Sequence, residues 1–211
     1  MSLYGRLFAA LYDRALAATE DAGLRERRAR LLARARGTVV EIGAGTGLNL
    51  AHYGDAVERL ILTEPEEAMA RRLDRAAAAA GGRGDARGVE VLRAPAEALP
   101  LPDASADTVV TTLVLCTVDD PGAALAEIIR VLRPGGRLLA IEHVRSPDPA
   151  QARFQDLVRP VWQRVGHGCR CNRDSAALLA ASPLRLKHLE RFQVPKAAKF
   201  VRPGLEAVAI R

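Results

Sequence analysis

The order of apolar runs and chain breakers predicts an α/β protein: a doubly wound, mostly parallel seven-stranded sheet with helices on both faces and a helical lid near the N-terminus. Three observations carry this. Short β-branched runs alternate with helix-like patterns from residue 38 onward, and parallel strands need crossovers of that kind. The first run leads directly into Gly43-Ala44-Gly45-Thr46-Gly47. Residues 107–115 are apolar and β-branched, as a strand covered on both faces requires.

Leu3, Leu7, Phe8, Leu11, Tyr12 and Leu16 step by three and four, which marks an amphipathic helix over residues 3–19. Residues 25–36 continue as a second helix with Leu31 and Leu32 inward, stopped by Gly37. Residues 38–42 form the first strand, followed by the glycine turn and a short helix. The second strand covers 60–64. Pro65 stands near the start of a helix that runs into the alanines at 76–80 and ends at Gly81-Gly82. Strands three, four and five fall at 89–93, 107–115 and 137–144. Asp119-Asp120-Pro121 caps a helix through Val131 that stops at Pro134-Gly135-Gly136. Helices at 150–166 and 174–181 precede two last strands, at 184–192 and 205–210. With 211 residues one domain is expected: a lid (1–36), a cofactor-binding core (37–145), and substrate-side helices with the final strands (146–211).

An apolar fraction of 49% supports a full core, and 27% charged residues exclude a disordered or collagen-like chain. The longest nearly apolar stretch, 109–118, is far short of the ~20 residues a bilayer needs. The N-terminal pattern keeps Asp13 and Glu20, which does not suit a signal peptide. Three cysteines are too few for a secreted disulfide framework, so a reducing cytoplasm is expected. The net charge of +6 is uneven: residues 1–36 carry +4, residues 159–211 carry +8 and the middle carries −6. Only eight aromatics are present, too few for base-stacking platforms. No nucleic-acid partner is expected. The basic ends fit an anionic small molecule or weak contact with a membrane surface.

In an open parallel sheet, ligands sit outside the carboxyl ends of the strands where strand order reverses. Glycines there let a ligand approach bare backbone. Glu64, 21 residues after Gly43, stands where a carboxylate can accept both ribose hydroxyls. A dinucleotide fingerprint would require Gly or Ala at position 48, which holds Leu48. That argues against a nicotinamide oxidoreductase.

The pattern Glu41-x-Gly43-x-Gly45-x-Gly47 resembles the first motif of class I S-adenosylmethionine-dependent methyltransferases. Asp107-Thr108-Val109-Val110 and Leu132-Arg133-Pro134-Gly135-Gly136 add to it. More specific are residues 112–118 (TLVLCTV), Glu142-His143-Val144, and Pro160-x-Trp162 followed by Gly166-His167-Gly168-Cys169. Together they resemble the methyltransferase-like family whose animal members are membrane-associated thiol methyltransferases. The resemblance implies a Rossmann-like fold, S-adenosylmethionine as cofactor, and a small-molecule acceptor, with a thiol first. It implies cofactor contacts from Glu41, Gly43, Ala44, Gly45, Gly47 and Asn49 around the turn, with Glu64 and Pro65 at the ribose. Met69, Ala96, Glu97 and Leu113 complete the cofactor set, with Tyr12 on the lid beside Tyr4. Pro95 displaces the acid that many relatives use to hold the adenine amino group, so backbone groups of Ala96 take that role. Pro203-Gly204 replaces the family's Pro-His. The animal proteins' N-terminal anchor has no counterpart, so a soluble or surface-associated protein is expected.

Plainer readings stand beside these. Glu64 could cap a helix, and Met69 could be core. Asp119 and Asp120 read as caps, and Cys116 as a buried apolar residue ending the central strand. Cys169-x-Cys171 lacks a second ligand pair at finger spacing, so no metal is expected. His143 is the candidate catalytic group, either a base or an orienting residue. His167 could be functional or a loop residue. An oxygen or nitrogen acceptor would need such a base. A non-catalytic nucleic-acid or membrane module is the remaining class.

Overall fold

The computed structural model describes residues 3–81 and 88–211. The side chain of Tyr4, and Gly82 at the expected end of the third helix, lie outside the described residues. The elements are α1 (Leu3–Thr19), α2 (Arg25–Leu32), β1 (Gly37–Ile42), β2 (Val57–Thr63), α3 (Glu67–Gly81), β3 (Gly88–Leu92), β4 (Ala106–Thr112), α4 (Pro121–Val131), β5 (Leu132–His143), α5 (Pro149–Val165), α6 (Ser175–Ala180), β6 (Arg185–Gln193) and β7 (Pro203–Ile210). The sheet order is β3-β2-β1-β4-β5-β7-β6. The first five strands pair in parallel, and β7 runs antiparallel to both β5 and β6. Strand order therefore reverses between β1 and β4, where a ligand crevice is expected.

Successive residues of the central strands enter opposite cores. Val40, Val109 and Leu138 join Ile128 of α4 and Leu179 of α6 on one face. Their neighbours Val39, Val110 and Leu139 join Leu31 and Leu32 of α2 and Leu73 of α3 on the other. Each fully buried Leu or Ile contributes roughly 1.5–3 kcal/mol over its exposed state.

Five local expectations are corrected. First, α2 stops at Leu32, four residues early, because Arg36 exchanges bonds with Thr108 Oγ1 (3.2 and 3.0 Å) that pull the chain into strand β1. Second, the turn after β1 leads to a single 3₁₀ turn, Leu50–His52, in place of a helix. Asn49 is buried there against Glu41 and Thr112, which draws the chain inward. Third, β4 ends at Thr112, three residues early, so Cys116 lies in the following turn. Leu113 adopts a left-handed φ of 62°, and the Glu142 carboxylate takes the amides of Val114 and Cys116 that a ladder would use. Fourth, β5 begins at Leu132, across a shifted register with β4. Fifth, Asp120 alone caps α4, accepting from Gly122 and Ala123 N–H (2.8 and 3.0 Å). Asp119 instead pairs with Arg170 at 2.7 Å. Between α1 and α2, a π-wound turn, Glu20–Leu24, kinks at Gly23 (φ 127°), a conformation open to glycine.

Candidate active site

The turn after β1 holds Gly43, Gly45 and Gly47 at φ 61°, 62° and 90°. A Cβ on Gly43 would lie 2.8 Å from Val114 Cγ2, and one on Gly47 2.8 Å from Leu50 Cδ1. Packing thus requires both glycines. At Gly45 the nearest atom would be Tyr12 Cε1 at 4.0 Å, so that backbone faces open space beneath α1. The cleft is walled by Tyr12, Arg28, Glu41, Gly43, Ala44, Gly45, Thr46, Leu48, Asn49 and Thr112.

A buried network backs this wall. Glu41 accepts from Asn49 Nδ2 (2.9 Å) and from the Tyr53 hydroxyl (2.6 Å). Asn49 Oδ1 accepts from Arg28 Nη1 (3.0 Å), and Arg28 Nε donates to Glu20 (2.9 Å). Burial pushes the Glu41 carboxyl up to about 7, against the pull of its bonds to Tyr53 and Asn49 and of the Arg28 charge. Burial likewise pushes the Tyr12 phenol up to about 12. Glu64, only 7% exposed, accepts from Gly45 N–H (2.9 Å) and Glu66 N–H (3.0 Å). It therefore ties the glycine turn to the end of β2. Burial raises its pKa, and those two amides oppose the rise.

Six of the expected cofactor residues (Tyr12, Glu41, Gly43, Ala44, Gly45 and Asn49) form the wall, and Gly47 supports it from behind. Glu64, Pro65, Met69, Ala96, Glu97 and Leu113 lie outside it. Met69 and Ala96 are buried. The Pro65 carbonyl accepts from Arg93. The Glu97 carboxylate accepts from the amides of Asp119 and Asp120 (2.9 and 3.2 Å), which fastens the start of α4.

On the other side of the switch point, the turn at 113–119 is wired through its backbone. Glu142, fully buried, accepts from Val114 and Cys116 N–H, both at 3.2 Å. Arg173 donates to the carbonyls of Leu115 and Val118. Arg170 donates to those of Thr117 and Val118. His143, half-buried at the end of β5, places Nδ1 3.8 Å from Cys169 Sγ, and that sulfur is 4.0 Å from Cys116 Sγ. Cys171 is buried in the same cluster as Cys116 and Cys169, with its thiol turned to the Gln155 carbonyl. A Cβ on Gly166 would strike the Trp162 ring at 2.7 Å, which accounts for that part of the motif.

Helix α1 spans both sides. Asp13 accepts from Thr46 Oγ1 at 2.6 Å, while Phe8 stacks on His167 with ring centroids 4.5 Å apart.

Several functional-looking residues escaped the sequence reading. Arg28 resembles its neighbours in an Arg-rich helix, yet Leu24, Arg28, Leu31 and Leu32 share one buried stripe. An arginine on an apolar stripe was the available signal. Glu142 follows Leu138 and Ala140 at the two-residue strand period, an acid on a core-facing row. Thr46 and Asp13 carried no signal, being bonded across 33 residues. Among the described residues, Arg28 of the N-terminal basic stretch stands in the cleft wall, Arg25 and Arg27 pair with Asp21 and with Glu190 and Glu206, and Arg170 and Arg173 of the C-terminal stretch bind carbonyls of the 113–119 turn.

Residues 40–140 match the family model described as a methyltransferase domain. The chain is 33% identical to the thiol S-methyltransferase TMT1B of Homo sapiens over 178 residues, covering 82% of this chain and 70% of that protein. It is 35% identical to the TMT1B of Rattus norvegicus over 143 residues, 65% of this chain, and so spans 56% of that relative's length. A solved S-adenosylmethionine-dependent methyltransferase of Thermotoga maritima superposes with a TM-score of 0.68 at 24% identity, over 100% of this chain and 99% of that one. At that identity the likeness concerns the fold. Among the described residues, no helix is long and apolar enough to cross a membrane. With the glycine turn at the switch point of a 3-2-1-4-5-7-6 sheet and these relatives, the chain belongs to the class I S-adenosylmethionine-dependent methyltransferases, enzymes whose methyl donor is S-adenosylmethionine.

Proposed function

We propose that this methyltransferase acts on a small molecule and methylates a thiol sulfur. The observation that carries this reading is the makeup of the acceptor side. Across the switch point from the cleft, Cys116, Cys169, Cys171 and Val201 form a buried cluster of sulfur and hydrocarbon with Trp162 and Phe200 packed against it, and the Glu142 carboxylate beside it is spent on backbone amides. A thiol needs little more, because at neutral pH a few per cent is already thiolate. The human and rat relatives, both named thiol S-methyltransferases, support the same acceptor. Oxygen or nitrogen methylation of a metabolite or lipid headgroup is the second reading, with the half-buried His143 as its base.

The chain then works as one domain with three roles: residues 1–36 as lid, 37–145 as donor core, and 146–211 on the acceptor side. Arg28 would hold the carboxylate of the donor's methionine tail, with Glu41 and Asn49 backing that end of the cleft. Glu64 would bind the ribose hydroxyls, and Pro65, Met69, Ala96, Glu97 and Leu113 would serve the nucleoside. The donor supplies a methyl group on an already positive sulfur. The protein therefore has little charge to create, and orientation supplies ~7 kcal/mol or more of the barrier reduction. Helix α1 contributes by holding Tyr12 over the turn and excluding water.

The test offers alkyl thiols, alcohols and amines of matched carbon skeleton with S-adenosylmethionine and reads S-adenosylhomocysteine. Product with thiols alone is expected; turnover of alcohols or amines with none from thiols would overturn the assignment. Weak membrane-surface contact is supported by α5, which exposes Leu157, Val161 and Val165 beside exposed Arg153, Arg159 and Arg164. Co-sedimentation with anionic vesicles that is lost at high salt checks it. The three free thiols fit a reducing cytoplasm.

A further inference from the structure

We propose that Cys116, His143 and Cys169 form a binding site for a thiophilic divalent cation, zinc fitting best, whose open fourth position takes the acceptor thiol. The cation site stands on geometry; the acceptor's place in it rests on the S-methylation reading above.

The three ligand atoms lie within 4.8 Å of one another. Cys169 Sγ is 4.0 Å from Cys116 Sγ and 3.8 Å from His143 Nδ1. A tetrahedral ion with bonds of about 2.3 Å to sulfur and 2.0 Å to nitrogen separates such atoms by about 3.8 Å (sulfur–sulfur) and about 3.5 Å (sulfur–nitrogen). Shifts of a few tenths of an ångström bring the two measured contacts to those spacings, and the third pair, within 4.8 Å, closes by a rotamer adjustment of about an ångström. Three distant segments converge to build it: the turn after β4, the end of β5 and the loop after α5. Their backbones are fixed independently of any ion. Glu142 accepts from Cys116 N–H, Arg170 N–H donates to the Cys116 carbonyl (2.7 Å), and Cys169 N–H donates to that of Gly166 (3.1 Å).

The ligand chemistry is selective. Two thiols and an imidazole suit zinc or a similarly soft ion over magnesium or calcium. Two thiolates neutralise the double charge, which suits surroundings formed by Leu113, Val158, Trp162 and Val201. Three protein ligands leave the fourth position open, the arrangement of reactive rather than closed structural zinc. The donor cleft is adjacent: Gly43 of its wall abuts Val114, two residues before Cys116.

In this arrangement an acceptor R–SH releases its proton to solvent as its sulfur joins the cation, because a coordinated thiol is deprotonated. A lone pair on that sulfur then forms the new bond to the donor's methyl carbon. The donor's own methyl carbon–sulfur bond breaks and its electron pair stays on the donor sulfur. The products are R–S–CH₃ and S-adenosylhomocysteine, with no change of metal oxidation state.

The experiment loads the full chain, reduced, with Zn²⁺ or Co²⁺, dialyses it, and reads metal content and the sulfur-to-cobalt charge-transfer absorption. One ion per chain is expected, with an absorption that shifts when an alkyl thiol is added. C116S, C169S and H143A should each weaken retention by about tenfold or more, while C171S should leave it unchanged. Should C116S fail to fold, C169A and H143A carry the same comparison. Absence of retained metal overturns the site, as does retention indifferent to these residues, or a Cys116–Cys169 disulfide whose reduction restores no metal uptake. Thiol methylation at full rate after a chelator strips the ion also overturns it, yet leaves S-methylation standing. Fully metallated protein that binds the methyl donor but methylates no thiol sinks S-methylation and the acceptor's place in the site, while the cation site survives on its spectroscopy.

Discussion

Around the turn after β1, charge is set against charge: Glu20, Arg28, Asn49, Glu41 and Tyr53 form an unbroken chain of buried hydrogen bonds. Around the turn after β4, the buried Glu142 carboxylate is spent on amides, Arg170 and Arg173 bind backbone carbonyls, and the packed interior is sulfur and hydrocarbon. The two regions meet where Gly43 abuts Val114. A donor that carries a carboxylate, an ammonium, a sulfonium and a sugar calls for fixed, opposed charges. A small apolar acceptor calls for a place that does not solvate it. On the function proposed above, the contrast divides labour between two sides of one switch point, and it can be attacked directly.

Arg28→Ala should have the largest effect. It leaves Glu20 buried without its partner and Asn49 without a donor, at a cost of about 3–5 kcal/mol, with donor affinity falling in parallel. Denaturant titration and calorimetry with S-adenosylhomocysteine measure the two. Unchanged donor affinity in a folded variant would break the contrast. Gly43→Ala tests the seam: a left-handed φ costs about 1–2 kcal/mol for a non-glycine residue, and the new methyl meets Val114. Adding Val114→Ala should recover the steric part alone, and a double-mutant cycle in urea separates the two contributions.

The smallest expected effect concerns pH. The Glu41 carboxyl titrates near 7 in the folded protein against 4.5 as its ordinary value, so the folded state binds more protons between those values. Its contribution to stability is thus full below pH 4.5 and is lost as pH rises through 7. Glu41→Gln should flatten that decline in a series of melts of the ligand-free protein. An unaltered slope would assign the pH dependence elsewhere.

The donor side was largely legible because its determinants are contiguous. One strand, one glycine turn and one acid after the next strand lie within residues 37–64, and local pattern reports local structure. The strands were read to within a few residues for the same reason, since covered parallel strands are nearly continuous apolar runs. The acceptor side was not. Cys116 is 53 residues from Cys169 and 27 from His143, and the local Cys169-x-Cys171 spacing says nothing of that grouping. The early end of β4 was equally hidden, because it depends on a carboxylate 28 residues downstream of Val114 claiming that residue's amide. Arg28 was hidden by its surroundings, one arginine among six between residues 25 and 36.

The position of β7 between β5 and β6 bears on how this protein is made. Strand β6 leaves the ribosome before the strand that pairs with it exists, and it waits as a bare edge open to neighbouring chains. The sheet can close only after residues 203–210 have been translated. A nascent chain stalled or cut before that point would keep its donor turn largely assembled while presenting two unpaired edges, those of β5 and β6, to chaperones and proteases.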